Sequence, residues 1–164
     1  MEQKYIYSFS QIEDKVKALH ETNTEAAAAV ALSWLGLSRD ELKTLRVSDY
    51  NSTMRMLHSA GRVVYVREDL IADMLKATCE EAPEYSMGFF ITDVNSAYEA
   101  AEKQELSPIS VLKMRYFYEK HSAKLSGEPE DRVFLKEILR SVGESEADME
   151  KQFAEYEKDA PEKI

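Results

Sequence analysis

Apolar side chains recur every three or four positions along most of the chain, which is the period of an amphipathic α-helix. The segment from 24 to 35 is apolar on most sides, because a run of alanines accompanies Val30, Leu32, Trp34 and Leu35. We expect it to be a central, buried helix. The pattern predicts helices over about residues 10–20, 24–35, 38–46, 68–81, 93–104, 107–125, 130–141 and 145–158.

Start and stop signals agree with this helical pattern at the beginning of the chain. Ser10 to Glu13 and Ser38 to Glu41 match the capping box, in which serine and glutamate side chains satisfy unpaired N–H groups. Asn23 or Thr24 can cap the second helix. Gly36 lies where a helix ends in a left-handed residue. Together these signals predict helix, glycine turn and helix over 24–46.

The period changes to two after residue 50, where apolar and polar residues alternate on both sides of Ser59-Ala60-Gly61. Alternation around a turn predicts a β-hairpin over about 53–58 and 62–66. Residues Met87 to Ile91 form a short apolar connection or strand. The predicted fold class is therefore mainly α (α+β), a helical bundle with a small antiparallel β-hairpin or sheet.

Length and composition predict one domain. A chain of 164 residues can form a stable core without a disulfide or a metal ion. Because Cys79 is the only cysteine, the chain has no internal disulfide. We assign residues 1–158 to the domain and 159–164 to a polar C-terminal tail, with fraying from Tyr156. No apolar run predicts a signal peptide or a membrane span, and no His or Cys cluster has metal-ligand spacing. We expect a cytoplasmic protein without a metal, a cofactor or a small-molecule ligand.

The net charge of −10 repels duplex DNA and anionic membranes at long range. The predicted helix from Ser107 to Ser126 differs, because it has four cations and a single acid, Glu119, for a net charge of +3. Such a patch could bind phosphates of duplex DNA, although a solvated helix face or salt bridges to the neighbouring acidic helices are the favoured interpretations. The four cations are Lys113, Arg115, Lys120 and Lys124.

The stretch from Trp34 to Asp49, WLGLSRDELKTLRVSD, resembles a segment of the tyrosine recombinase (phage integrase) catalytic domain, T-G-L-R-x-x-E-L-L-x-L-x-x-x-D. Gly61 to Val66 resembles the family's following strand, G-K-x-R-x-V-P-L. The resemblance covers most of the chain but is strong only over 24–75, and it implies a recombinase-like fold. The matching positions are Gly36, Leu37, Glu41, Leu42, Leu45 and Asp49.

The catalytic residues of that family are largely missing. Its members use an Arg-Lys-His-Arg set to stabilise the transition state and a tyrosine to attack phosphate. Ser38 takes the position of the first arginine, and Arg39 is rotated from it by about 100° on a helix. The hairpin lysine falls within His58 to Ala60, none of which is lysine. Ser38 is better explained as a helix cap.

The later motifs are also replaced. The family's P-H-x-x-R resembles Pro108 to Leu112, which puts Ile109 and Leu112 on its two catalytic positions. An alternative register makes Arg115 the arginine but leaves Leu112 at the histidine. The family's L-G-H aligns with Ile138 to Ser141, which contains no histidine. The nucleophile falls near Glu150, several residues before Tyr156. Five of six catalytic positions are therefore replaced, and we expect a pseudoenzyme of mobile-element origin that binds DNA, a protein partner or itself.

Two alternatives remain open at this point. In a helix-turn-helix transcriptional regulator, Ser38 to Arg46 would be the recognition helix, with Arg39, Lys43 and Arg46 facing the DNA groove. The acidic Asp40 and Glu41 at the phosphate-facing start oppose it. The other alternative is a helical protein-interaction module unrelated to recombinases. An active enzyme with a rearranged site would require Tyr156 as its nucleophile.

Overall fold

A computed structural model describes residues 5–81 and 88–161 of the chain. Within them the protein has eight α-helices and a three-stranded antiparallel sheet, which confirms the mainly α (α+β) fold class. The helices are α1 Glu13–Thr22, α2 Thr24–Trp34, α3 Arg39–Thr44, α4 Asp69–Glu81, α5 Val94–Lys103, α6 Pro108–Ser126, α7 Arg132–Val142 and α8 Glu146–Asp159. The strands are β1 Tyr50–Asn51, β2 Met56–Ser59 and β3 Arg62–Tyr65.

Helix α2 lies at the centre of the fold, as its sequence predicts. It packs against α1, α4, α5 and α6, and its residues from Val30 to Trp34 are all buried. The small alanine side chains let neighbouring helices approach closely, because the distance between helix axes depends on the side chains at the contact. Asn23 caps the helix by accepting a hydrogen bond from the N–H of Ala26 at 3.0 Å.

The capping box predicted at Ser10 to Glu13 is wrong. Residues Phe9–Gln11 form a short 3₁₀ helix instead, and α1 begins only at Glu13. The Gln11 side chain accepts a hydrogen bond from the N–H of Ser8 at 3.2 Å, while the Ser10 hydroxyl bonds to that of Ser8 at 2.7 Å. The polar residue that starts this segment is therefore two positions earlier than the pattern indicates.

The turn between α2 and α3 has the predicted left-handed glycine, since Gly36 has a φ of 94°. Its N–H donates to Ser33 O at 2.9 Å, and the N–H of Leu37 donates to Leu32 O at 3.1 Å. The capping box of α3 is confirmed: Ser38 Oγ accepts from the N–H of Glu41 at 3.2 Å, and Glu41 Oε1 accepts from the N–H of Ser38 at 3.1 Å. These bonds satisfy backbone groups that a helix end leaves open.

The β-hairpin is confirmed, with strands shorter than the sequence predicts. Its two-residue turn has positive φ at Ala60 (49°) and Gly61 (76°), the geometry that suits the twist of hairpin strands. Strand β1 pairs with β2 on the other side, so the sheet order is β1-β2-β3. Two-residue β1 is too short to produce a period-two pattern, and the sequence therefore does not reveal it.

The segment expected to be a short strand at Met87 to Ile91 makes one isolated bridge, between Arg46 and Phe89. Met87 lies outside the described residues. The N–H of Phe90 donates to Leu45 O at 3.1 Å, and the N–H of Val47 donates to Gly88 O at 2.9 Å. These bonds attach the chain before α5 to the chain after α3.

The predicted fraying from Tyr156 is wrong, because α8 continues to Asp159 and Tyr156 is only 1% exposed. Its ring lies against Tyr7, Phe117 and Phe153, with centroid distances of 4.6, 5.4 and 6.1 Å. The polar residues around Tyr156 form the outer face of an amphipathic helix. Together with Met149 and Phe153, Tyr156 gives α8 a buried face that continues almost to the end of the helix.

Candidate functional site

Two adjoining cavities of about 740 and 430 Å³ lie between β3, the start of α4, α6 and α7. Charged side chains line both of them, and we call the combined depression the β3–α7 groove. The residues common to the two cavities are Arg67, Glu68, Arg115, Glu119 and Asp131.

Arg115 is held tightly in the wall of the β3–α7 groove. Its Nη1 donates to Trp34 O at 2.7 Å, and its Nε and Nη2 donate to Glu119 Oε1 at 2.8 and 2.5 Å. The guanidinium also lies 5.5 to 5.6 Å from the ring centroids of Trp34, Tyr118 and Phe134. Such contacts are within cation–π range, so the position and charge of this arginine are fixed from several sides.

Glu68 lines the groove together with Arg115, and only one of its two carboxylate oxygens has a hydrogen-bond partner within the described residues. Its Oε1 accepts a hydrogen bond from Trp34 Nε1 at 3.2 Å. Its Oε2 is buried and has no hydrogen-bond partner within the described parts of the chain. A buried carboxylate oxygen without a donor is unfavourable, and such atoms are rare in folded proteins.

A polar cluster ties the hairpin to the α2–α3 turn at one end of the β3–α7 groove. Arg62 Nη2 donates to Glu41 Oε1 at 2.8 Å and to Gly36 O at 3.0 Å, and the Ser59 hydroxyl donates to Glu41 Oε2 at 2.7 Å. Burial raises the pKa of Glu41, but the hydrogen bonds from Ser59, Ser38 and Arg62 outweigh it and lower this pKa overall. The carboxylate is therefore ionised at neutral pH and connects three segments.

Phe134 joins α7 to this cluster. A Cβ atom on Gly36 would lie 2.3 and 2.5 Å from two carbons of the Phe134 ring, so the ring fits only against a glycine. The Arg62 guanidinium lies 5.6 Å from the ring centroid on the hairpin side. The sequence analysis missed this contact, because nothing in the local pattern relates two residues almost 100 positions apart.

The four cations predicted to form a DNA-binding patch on α6 point in two directions. Lys113, Lys120 and Lys124 share one side of the helix, as their spacing predicts, and contact carboxylates in or near α8. Arg115 instead faces the β3–α7 groove. The lysine pairs are Lys113 with Glu144 at 2.7 Å, Lys120 with Glu150 at 2.7 Å and Glu130 at 3.6 Å, and Lys124 with Glu157 at 2.5 Å.

All four cations are thus paired with carboxylates of the chain itself, which is one of the two interpretations favoured from the sequence. Burial lowers the pKa of Lys120, but the hydrogen bond that it donates to Glu150 and the nearby acidic groups outweigh burial and raise this pKa overall. The Lys120 side chain is only 12% exposed, so its ammonium group contacts other parts of the protein more than it contacts solvent. Binding of DNA by these residues stays a prediction.

The three cations predicted for a recognition helix do not all lie on α3. Helix α3 ends at Thr44, so Arg46 lies outside it and the predicted helix from Ser38 to Arg46 is too long. Arg39 donates to Asn95 and lies 4.8 Å from the Tyr98 ring, and Arg46 lies 4.6 Å from the Phe89 ring. Lys43 is exposed. With only six residues, α3 is short for reading a DNA groove.

Two positions that align with recombinase catalytic residues have structural roles. Ser38 caps α3 and Leu112 belongs to the core, while Ile109, at the histidine position, is 37% exposed. Burial and the nearby tyrosines raise the pKa of Tyr156, which lines neither cavity of the β3–α7 groove. Of the residues considered for catalysis, only Arg115 faces the groove. The groove itself has no local signal in the sequence, because its residues come from four separate elements.

Within the described ranges, no three His, Cys, Asp or Glu side chains come together as metal ligands, and no helix there has the length and apolarity to cross a membrane. The fold and the groove define a mainly α protein with a charged depression beside a small sheet. Comparisons of the chain with protein-family models, curated proteins and solved structures found no match.

Proposed function

We propose that this is a non-catalytic, phage-integrase-like protein of mobile-element origin that acts by binding a protein partner. The observation that supports protein binding over DNA binding is the ion pairing of α6. Lys113, Arg115, Lys120 and Lys124 each contact a carboxylate of the chain, within 2.5 to 2.7 Å. A phosphate backbone would have to displace those carboxylates against a net charge of −10.

The integrase-like ancestry rests on residues 24–75. The order of a helix, an apolar helix, a glycine turn, a capped helix, a hairpin and a further helix is the order that the resemblance implies. Glu41, one of the matching positions, holds the glycine turn and the hairpin together. The expected absence of catalysis is supported by Ser38 and Leu112, a helix cap and a core residue at positions where the resemblance implies catalytic arginines.

Two measurements on the intact chain test the proposal. The first is a mobility shift with mixed-sequence duplex DNA at low and moderate salt. The second is co-purification from cells that express the chain, with and without nuclease treatment. We expect no DNA retardation at moderate salt, and we expect a protein that co-purifies in stoichiometric amount after nuclease treatment. The matched control is a Lys113/Lys120/Lys124 charge-reversal variant.

Three results would contradict the proposal. Retardation that disappears in the charge-reversal variant would establish DNA binding through α6. Retardation that disappears on Arg39→Glu with Lys43→Glu would favour the helix-turn-helix regulator. A covalent DNA adduct that is lost in Tyr156→Phe would show an active enzyme.

A further inference from the structure

Strand β3 has a free edge along the β3–α7 groove. Within the described residues it is the last strand of the sheet and pairs with β2 alone. The N–H of Val66 donates to Arg55 O at 2.9 Å, towards the β2 side. Because backbone groups of successive residues in an antiparallel strand point to opposite neighbours, those of Val63 and Tyr65 point to the free edge.

Apolar side chains lie along this free edge. Val63 is 43% exposed, Tyr65 is 61% exposed, and Val133 at the start of α7 is 73% exposed. All three line the smaller cavity of the groove, between β3 and α7. Unpaired backbone groups next to exposed apolar side chains are the features to which an extended peptide adds as a further strand.

The charge of the groove determines the chemistry of its occupant. Three arginines line it, but Arg62 and Arg115 are already paired with Glu41 and Glu119. Arg67 is the one lining cation for which no ion pair is found within the described residues. Three lining carboxylates likewise have no ion-pair partner there, which gives an excess of negative charge. These carboxylates are Glu68, Glu128 and Asp131.

We propose that the β3–α7 groove binds an extended, basic peptide segment of a protein partner, which adds to β3 as a fourth strand. Its backbone pairs with Val63 and Tyr65, and its apolar side chains contact Tyr65 and Val133. A lysine or arginine of the peptide donates to Glu68 Oε2, which gives this buried oxygen a partner. The four residues of β3 span about 13 Å, which matches a peptide segment of about four to six residues. The inference rests on the proposed function, because it takes the partner to be a protein.

The test begins with selection from a displayed random-peptide library against the full chain. We expect the enriched peptides to alternate apolar with other residues and to include lysine or arginine. Amide hydrogen exchange is then measured with and without an enriched peptide. In the free protein we expect Val63 and Tyr65 to exchange faster than Val64, which pairs with Leu57. With peptide, we expect Val63 and Tyr65 to become protected by about tenfold or more.

Two sets of variants connect binding to the groove. Val63→Pro removes an edge N–H, at a type of position where proline is tolerated, and its matched control Val63→Thr keeps that N–H. Glu128→Lys with Asp131→Asn reduces the negative charge while Asn can still cap α7. Glu155→Lys with Glu99→Gln, at exposed positions of α8 and α5, is the control for net charge, because it changes the charge by the same amount. We expect each groove variant to weaken peptide binding by about tenfold and each control to change it less than twofold.

Several results would overturn the inference. If no peptide is enriched, or if exchange protection appears away from β3, the groove is not the docking site. If Val63 and Tyr65 become protected with increasing protein concentration and no peptide, the occupant is a second copy of the chain. Unchanged binding in both groove variants would also contradict it. If a protein still co-purifies with the chain after nuclease treatment, any of these results would overturn the groove inference but leave the proposed function intact.

Discussion

At the scale of single residues, Gly36 shows how backbone geometry and a distant contact require the same amino acid. Its φ of 94° is unfavourable for other residues, and the Phe134 ring fills the space that a side chain would occupy. The first requirement can be read from the position of Gly36 at the end of a helix. The second depends on how α7 packs and is visible only in the folded chain.

We expect Gly36→Ala to lower the free energy of unfolding by roughly 2–5 kcal/mol, the sum of left-handed strain and steric overlap with Phe134. Denaturant unfolding followed by circular dichroism measures this change. Gly143→Ala is the matched control, because Gly143 has a φ of 77° and open space around its Cα. The control should cost only about 1–2 kcal/mol. Equal losses in the two variants would show that the contact with Phe134 is unimportant.

Glu41 makes a second prediction at this scale, about pH. Its pKa is lowered in the folded protein, so ionised Glu41 stabilises the fold above the unfolded-state pKa of about 4.3. That stabilisation is lost as the pH falls below about 4.3 towards the folded-state pKa. We expect Glu41→Gln to be less stable at pH 7 by about 1–3 kcal/mol and to lose less stability on acidification.

Urea unfolding at several pH values between 7 and 3 checks this expectation. The matched control is Glu155→Gln, because Glu155 is exposed and has no ion pair within the described residues. It should follow the wild-type pH profile. A Glu41→Gln profile parallel to wild type would mean that the cluster with Arg62 and Ser59 contributes no pH-dependent stability.

At the scale of secondary-structure elements, the lysine side of α6 acts as a contact surface for α8. Lys120 is 12% exposed and Lys124 is 61% exposed, although both pair with glutamates of α8. Lys120 also pairs with two carboxylates, Glu150 and Glu130, whereas Lys124 pairs with Glu157 alone among the described residues. Lys120 and Lys124 therefore allow ion pairs of different burial to be compared on the same helix.

We expect Lys120→Met to destabilise the protein by about 1–3 kcal/mol, since Glu150 and Glu130 lose their cation. Lys124→Met should cost less than about 1 kcal/mol, as exposed ion pairs contribute little. Thermal unfolding of the two variants under the same buffer conditions makes the comparison. Equal effects, or a larger effect at Lys124, would contradict the difference in burial.

The aromatic contact of α8 gives a further prediction. Tyr156 is buried among aromatic rings, so Tyr156→Ala should cost about 3–5 kcal/mol by leaving a cavity. Tyr156→Phe keeps the ring and should change stability by less than about 1 kcal/mol. Chemical denaturation measures both variants. If Tyr156→Ala were as stable as wild type, α8 would not depend on this contact.

Most elements could be predicted from the sequence, because the signals that define them are local. Asn23, Gly36 and Ser38 specify the helix–turn–helix region within a few residues of where they act. The errors occurred where several local solutions compete or where packing decides. Ser8 and Ser10 both have a hydroxyl near the start of α1. The 3₁₀ helix begins directly after Ser8, so Ser8 occupies the capping position. Tyr156 sits in a polar stretch, and its burial depends on Phe117 and Phe153.

The candidate site was much less accessible to sequence reasoning. Arg115 was singled out for its charge, but its position in the groove results from contacts with Trp34, Tyr118 and Phe134. The free edge of β3 and the excess of carboxylates depend on which elements become neighbours. A hydrophobic pattern indicates whether each element is a helix or a strand, but it does not indicate which elements pack against one another.

At the scale of the whole molecule, α2 connects opposite parts of the fold. Near its start, Glu25 accepts hydrogen bonds from the N–H and hydroxyl of Thr92 at 2.8 and 2.7 Å. At its other end, Trp34 reaches the residues that line the β3–α7 groove. The helix that organises the core therefore also supports the wall of the candidate docking site.

Because of its position, Trp34 can report peptide binding through its intrinsic fluorescence. Trp34 is the only tryptophan in the chain, it is buried, and its indole N–H bonds to Glu68 beside Arg115. Indole emission depends on the polarity and charge of its surroundings, so a cation that approaches Glu68 should change the emission maximum or intensity. A titration with basic peptide would detect this change without a label, and Glu68→Gln should reduce it. Emission that stays constant while peptide binds would place the peptide away from Trp34.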